Sequence, residues 1–353
     1  MSEVAKVEKK RVEYLDIAKG IGVVMVVWAH AKAPEHHYMY KFLMPMFFII
    51  SGYLYSSKGT IKQYVIRKLQ SLWIPYVSWN LIMYLARHLN DVTPDNIGYV
   101  IRYCIGIVFT MEKDGEFFGA TWFLGALLFV SIAYKLVDAC LAKVPYQRIW
   151  VTLVFIGITA LGFMINLPHM QSRTMVISIF FAIGTLFKEY EDTFRKWFIF
   201  RGAWKHIVAW AGMIFFVISC RKIVVNMGTN EYCHKLLFIV GAVLGSYFFI
   251  YLSRQLELAK GDAFQPLKKA CVYLGKRSLD IVIWQFVAFK LVMLVQLYMT
   301  GEPYSDIFRY LNKQTDHGWW LAYLIVGTVV PLIWCNFLRL GWWGKILKKL
   351  HMV

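Results

Sequence analysis

Eleven apolar blocks divide this chain, and their length constrains its fold more than any other feature. They run over 17–33, 42–57, 70–86, 97–110, 119–141, 149–165, 174–190, 207–225, 235–253, 278–299 and 319–340. Most are about 15–22 residues long, the length that carries a helix through a hydrocarbon core. There every backbone N–H and C=O must be satisfied within the segment, so such blocks fold as helices. With 59% hydrophobic and only 17% charged residues, a soluble two-domain enzyme, a disordered chain and a disulfide scaffold are excluded. The sequence predicts an all-α polytopic integral membrane protein. Its cysteines (Cys104, Cys140, Cys220, Cys233, Cys271, Cys335) form no C-x-x-C pair. Most lie within apolar blocks and read as small core residues, with no metal site implied.

A net charge of +18 in a soluble protein would point to nucleic acid. In a membrane protein it sets orientation, because Lys and Arg collect in cytoplasmic loops. Eleven crossings would place the two termini on opposite sides and leave the basic stretch from Lys188 to Lys205 outside. The weakest block is 97–110, which is short, contains Arg102 and is flanked by Asp91, Asp95, Glu112 and Asp114. Treating it as a non-spanning re-entrant or interfacial helix leaves about ten transmembrane helices with both termini cytoplasmic. The count is then 24 basic residues inside against 11 outside. Asp16 and Lys19 lie in or beside the first apolar run, which argues for an uncleaved first helix rather than a signal peptide. No repeat or long polar linker interrupts the chain. The expectation is one integral domain over 1–353 with no appended soluble domain.

Ionisable residues inside spans are costly and therefore mark function. The first block carries Asp16, Lys19 and His30 among Ile, Val, Met, Gly and Trp. Lys19 and His30 are eleven positions apart, so both project from nearly one face, separated by roughly 16 Å along the axis. Asp16 is placed to pair with Lys19 one turn away. The competing readings are a snorkelling anchor for Lys19 and a hydrogen-bonded packing residue for His30. In the second block, Pro45 starts or kinks a helix, and Ser51-Gly52 permits close backbone approach. The basic loop from Lys58 to Lys68 is suited to anionic lipid or to a phosphorylated ligand.

Together these segments resemble a known family. Tyr14-Leu15-Asp16-Ile17-Ala18-Lys19-Gly20, then His30, then Met44-Pro45-Met46-Phe47-Phe48 through Ser51-Gly52-Tyr53-Leu54, look like acyltransferase family three. The likeness is greatest to its fucose 4-O-acetylase-like branch. Thr121-Trp122-Phe123-Leu124, Phe181-Ala182-Ile183-Gly184 and Tyr273-Leu274-Gly275-Lys276-Arg277-Ser278 resemble its later W-F-L, F-x-x-G and L-G-K-x-S segments.

The resemblance implies a ten-helix membrane enzyme that moves an acyl group, usually acetyl, from cytoplasmic acyl-CoA to a hydroxyl of a sugar or other small acceptor. It assigns the catalytic histidine to His30 and the basic partner eleven positions earlier to Lys19. Three positions depart from the pattern. R-x-x-R becomes Arg67-Lys68-Leu69-Gln70, a histidine before M-P becomes Leu43, and a late histidine is replaced near Gln285.

Acyl transfer to an alcohol needs a base or a carrier nucleophile, and an imidazole serves as either. The expected site is therefore His30 for the chemistry, with Lys19, Arg67 and Lys68 for the CoA phosphates and Asp16, Ser51 and Trp122 in support. Acetyl-CoA is expected as co-substrate rather than as a tightly bound cofactor. The expected partners are a sugar or lipid-linked glycan acceptor and membrane lipid, with a homo-oligomer as a further option and no nucleic acid. A bacterial inner membrane is the expected location. The rival is a secondary transporter or lipid-glycan flippase that uses Lys and His for coupling; it would show inverted repeats or paired broken helices. A non-catalytic scaffold would leave Asp16, Lys19 and His30 unexplained.

Overall fold

The structure, a computed structural model, describes residues 12–352 apart from 89–92, 94, 112–114, 169–170, 197–201, 223 and 228–229. Lys6, Lys9, Lys10, Arg11, Asp91, Glu112, Lys113, Asp114 and Arg201 thus lie outside the described residues. Of the described residues 79% are helical. Among the described residues the extended pairing is limited to Val225–Asn226 against Glu231–Tyr232. Among the described residues five helices are long and apolar enough to cross a membrane: Gly119–Cys140, Gln147–Met164, Lys235–Leu258, Ser278–Thr300 and Trp319–Leu338. This is a multi-pass integral membrane protein.

In chain order the principal helices are α1 (Glu13–His30), α2 (Leu43–Tyr53), α3 (Ile61–Lys68), α4 (Ile74–His88) and α5 (Ile97–Phe109). They continue as α6 (Trp122–Cys140), α7 (Gln147–Met164), α8 (Gln171–Glu189), α9 (Trp204–Cys220) and α10 (Lys235–Leu258). The last four are α11 (Gln265–Lys276), α12 (Ser278–Thr300), α13 (Trp319–Leu338) and α14 (Gly341–Lys349). A wider π turn over Leu69–Trp73 joins α3 to α4.

Contacts between helix ends sort into two groups. At one end the Tyr14 amide donates to Glu257 (3.2 Å), Lys188 to the Tyr55 carbonyl (2.8 Å), and Arg339 forks onto Asp280 (2.7 and 2.9 Å). At the other, Lys41 donates to the Cys220 carbonyl, Asn312 to the His30 carbonyl (both 2.7 Å), and Asn230 to the Gly162 carbonyl (3.1 Å). Each pair joins residues that the charge count places on one side of the membrane. The short α5 is an apolar helix below the length of that spanning set. It leaves the far end of α4, where Tyr103 stacks on Tyr84 with centroids 4.3 Å apart, and dips until the Val108 carbonyl accepts from the Trp73 indole. The chain has returned to that far end at Phe117, whose ring lies 4.8 Å from the Arg87 guanidinium. The outward face of α5 exposes Tyr99, Ile101, Ile105 and Phe109, an apolar surface suited to lipid.

The bundle is closed by backbone-to-backbone crossings at glycines. A methyl placed on Gly20 would lie 2.0 Å from the Cys271 carbonyl oxygen, and one on Gly275 would lie 1.8 Å from that of Asp16. This is the crossing of α1 and α11. Gly52 and Gly184 do the same for α2 and α8, at 2.0 Å from Phe181 O and 2.1 Å from Ile49 O. Lipid tails are as apolar as Leu, so helices in a bilayer associate through dispersion and hydrogen bonds, and small residues permit the approach. The L-G-K, F-x-x-G and S-G segments are therefore first of all packing devices.

Gly184→Ala must push α2 and α8 apart and should cost about 1–3 kcal/mol, as overpacking does. Gly157→Ala, with nothing within 4 Å of the new methyl, should be near neutral. Thermal unfolding of the two purified variants checks this, and equal midpoints would contradict the crossing.

Candidate active site

α1 begins with Glu13 and Asp16 in its first turn, where carboxylates complement the helix dipole. The crossing with α11 buries the Asp16 turn, and a carboxylate held there needs a cation. Lys19 supplies it at 2.6 Å, one turn along, with its own side chain 23% exposed. The rest of the helix is Gly, Ile, Val and Met, then Trp28 and Ala29, until His30 at its last turn.

His30 is held on two sides. The Asn312 side-chain amide caps its carbonyl at 2.7 Å, and the edge of Phe286 packs on the ring with centroids 4.8 Å apart. Gln285 Oε1 lies 3.1 Å from His30 Nδ1, while Gln285 Nε2 donates to the Val282 carbonyl at 3.3 Å. The amide is thereby oriented with its oxygen toward the ring. An acceptor at that position requires Nδ1 to carry the hydrogen, so the neutral ring keeps its lone pair on Nε2. This is the tautomer a general base needs.

One cavity of about 780 Å³ reaches both groups: Lys19 and Ser278 line one part of it, and His30, Phe286 and Leu311 another. The volume falls within the range of small-molecule sites. Ser51 lines it from α2 and Trp122 from α6, so Lys19, His30, Ser51 and Trp122 come together around one space. Asp16 stands behind Lys19 as its counter-ion. Arg67 and Lys68 are not among the lining residues. Arg67 turns back to the Gln63 carbonyl (3.3 Å), and the Lys68 ammonium sits 5.6 Å from the Tyr64 ring centre. They occupy the turn that precedes Leu72, a wall residue of the cavity, below its basic end. Burial, and then the neighbouring Arg67, push the Lys68 ammonium down to about 8.

Three contributors were not singled out as site residues from sequence. Arg173, at the start of α8, is 4% exposed, lines the cavity and lies over the Trp122 ring at 3.8 Å. By charge counting it belongs with the outer loops. Asn312 sits in a connecting segment, where an Asn ordinarily signals a turn. Gln285 marks a missing histidine in the family pattern, yet its amide meets His30. The spacing of Asp280 and Gln285 from the L-G-K segment is the one signal that could have directed attention to the last of these.

The fold and cavity define a multi-pass membrane protein with a chamber lined by an imidazole. The sequence model of acyltransferase family 3, described as an acyltransferase domain, matches residues 12–336, and the chain belongs to that family. It is an acyltransferase. No curated protein and no solved structure matches it.

Proposed function

We propose that this enzyme is a membrane-bound O-acyltransferase that moves an acetyl group from cytoplasmic acetyl-CoA to a hydroxyl of a sugar, an envelope glycan or a related small acceptor. A bacterial inner membrane is the setting that suits this reading. The observation that carries it is the single cavity touching both Lys19 and His30, about 16 Å apart along one helix face. CoA phosphates would pair with Lys19 at the basic mouth, with Lys68 and Arg67 on the helix beneath. The thin pantetheine arm would then run along the cavity and bring the thioester to His30. No feature favours the transporter reading.

In the direct mechanism His30 Nε2 takes the hydroxyl proton as the acceptor oxygen bonds to the thioester carbonyl carbon. The tetrahedral oxyanion collapses, the C–S bond breaks, and the CoA thiolate recovers the proton from the imidazolium. If His30 instead carries the acyl group, Nε2 bonds to the carbonyl carbon as the C–S bond breaks and the CoA thiolate leaves; the acceptor oxygen then attacks that carbon, the Nε2–C bond breaks and the hydroxyl proton ends on the thiolate. Trapping of labelled acetyl on the protein in the absence of acceptor separates the two routes. Purified protein, labelled acetyl-CoA and a panel of glycan acceptors test the reading as a whole, and the absence of transfer to any of them would defeat it.

His30→Ala should cut transfer roughly 10²–10⁴-fold while acyl-CoA binding persists, because the phosphates lie about three turns away. Gln285→Leu removes the tautomer-fixing hydrogen bond and should lower kcat by about tenfold with little change in acyl-CoA affinity. A purely structural role would lower the yield and melting temperature of both variants and leave turnover per folded molecule intact.

Lys68 supplies a pH signature. Its ammonium is charged below about 8 and lost above it, so acyl-CoA affinity should fall as pH rises through that value. Lys68→Met should be weaker throughout and lose that slope, and high salt should weaken the wild type toward it. A binding curve in which Lys68→Met matches the wild type at every pH assigns the cluster to lipid contact instead.

A further inference from the structure

The reaction cavity has a neighbour. A second cavity of about 390 Å³ lies between α5, α6, α7 and α8, and Trp122 and Arg173 line both spaces. The two differ in character. The second is walled largely by apolar side chains, among them Phe129, Ile158 and Leu167. Phe109, Phe129 and Leu167 are also exposed on the outside of the bundle (74%, 48% and 39%), so this space adjoins the lipid-facing surface. The end of α5 and the two residues after it form one wall with Phe109, Thr110 and Met111. Apolar groove and reaction chamber thus meet at a buried guanidinium.

That guanidinium is positioned rather than loose. One nitrogen of Arg173 donates to the Met227 carbonyl at 3.2 Å, and the plane rests over the Trp122 ring at 3.8 Å. A planar fork stacked on an indole is the arrangement that suits bidentate recognition of a carboxylate or phosphate. Among the described residues no Asp or Glu lines either cavity. On the chamber side, Gly119 and Phe286 lead from Trp122 to His30: Gly119 abuts the Phe286 ring, and that ring packs on the imidazole.

We propose that Arg173 is the anion-binding residue of the acceptor site and that the acceptor is an amphiphile with a phosphate between its two parts. An apolar tail lies in the second cavity, the phosphate rests on Arg173, and a hydroxyl-bearing head extends into the chamber toward His30. The proposal rests on the acyl-transfer reading for what happens to the hydroxyl. Recognition of tail and phosphate stands on the two cavities and the guanidinium. The phosphate takes no part in bond making; it fixes which hydroxyl reaches the base, as remote binding groups do.

The test measures binding without turnover, so that it remains informative even if acetyl-CoA proves to be the wrong donor. Full-length protein in phosphatidylcholine nanodiscs is titrated with three probes: glucose 1-phosphate, octyl β-glucoside and the glucosyl octyl phosphodiester. The phosphodiester should bind at least about tenfold more tightly than either of the others. Arg173→Gln should bring it down to the level of the neutral octyl glucoside, and Arg173→Lys should keep part of the difference. Leu167→Asp should weaken the two octyl probes and leave glucose 1-phosphate unchanged. A structural role for Arg173 would reduce yield and leave the ranking of the probes as it was. Should Arg173→Gln not fold, the wild-type ranking decides alone, since equal affinity for phosphodiester and octyl glucoside overturns the proposal. Loss of the preference when phosphatidylglycerol is added to the nanodisc would assign Arg173 to bilayer headgroups, and would overturn it as well. Transfer from labelled acetyl-CoA, run in parallel, judges the acyl-transfer reading separately.

Discussion

The backbone contact of α1 with α11, at Gly20 and Gly275, is the constraint on which the site depends. Without a hydrophobic force between helices in a bilayer, only close approach gathers enough dispersion to hold two of them in one register. Here the approach covers the Asp16 turn with protein rather than lipid. The Asp16–Lys19 pair can then persist at the edge of the chamber. The rest of α1 follows as a rigid rod and carries His30 to Gln285 and Phe286 on α12. The crossing of α2 with α8 at Gly52 and Gly184 fixes Ser51 against the same space. Enlarging any of these glycines would move a wall of the cavity as well as a packing contact.

Membrane character and helical class were legible in the sequence for plain physical reasons. Block length reports bilayer thickness, and the distribution of Lys and Arg reports side. Lys19 and His30 were legible because both sit on one helix, where periodicity alone fixes their shared face. Arg67 and Lys68 were legible as a basic cluster. Their standing relative to the chamber was not, because the π turn at Leu69–Trp73 and the course of α3 are tertiary facts. Arg173 was hidden by its sequence position: an arginine at the start of a span reads as a boundary charge. Only the packing of Trp122 beneath it shows a guanidinium facing a cavity. Gln285 carried a different lesson. Read as a missing histidine, it marks a loss; placed against His30 Nδ1, it orients the residue that remains.

A glutamine rather than a second histidine beside His30 has a physical consequence. A second imidazole beside His30 could donate or accept, and its protonation would compete with that of the base. An amide anchored through Nε2 to the Val282 carbonyl has its direction settled and does not titrate. It presents an acceptor to Nδ1 at every pH, so whenever the ring is neutral its lone pair lies on Nε2. The arrangement exchanges a titratable helper for a fixed one, and leaves proton uptake during transfer to His30 alone.

Electrostatics ties the chamber to the chemistry proposed for it. Lys19 stands in one part of the wall and Arg173 in another, with the imidazole also facing the space. Both species that acquire negative charge during acyl transfer, the tetrahedral oxyanion and the departing thiolate, would form in the field of these cations. In an apolar surrounding such fields are weakly screened, and preorganised charge acts most strongly where solvent cannot reorient against it. The lysine is partly neutralised by Asp16, which limits how firmly it can hold a product phosphate and favours release at the basic mouth. Arg173, fixed over Trp122 and tied to the Met227 carbonyl, would keep the anionic acceptor in place while CoA exchanges. A graded pair of cations, one tempered and one held flat on an aromatic face, would thus give the two proposed substrates different residence in one cavity.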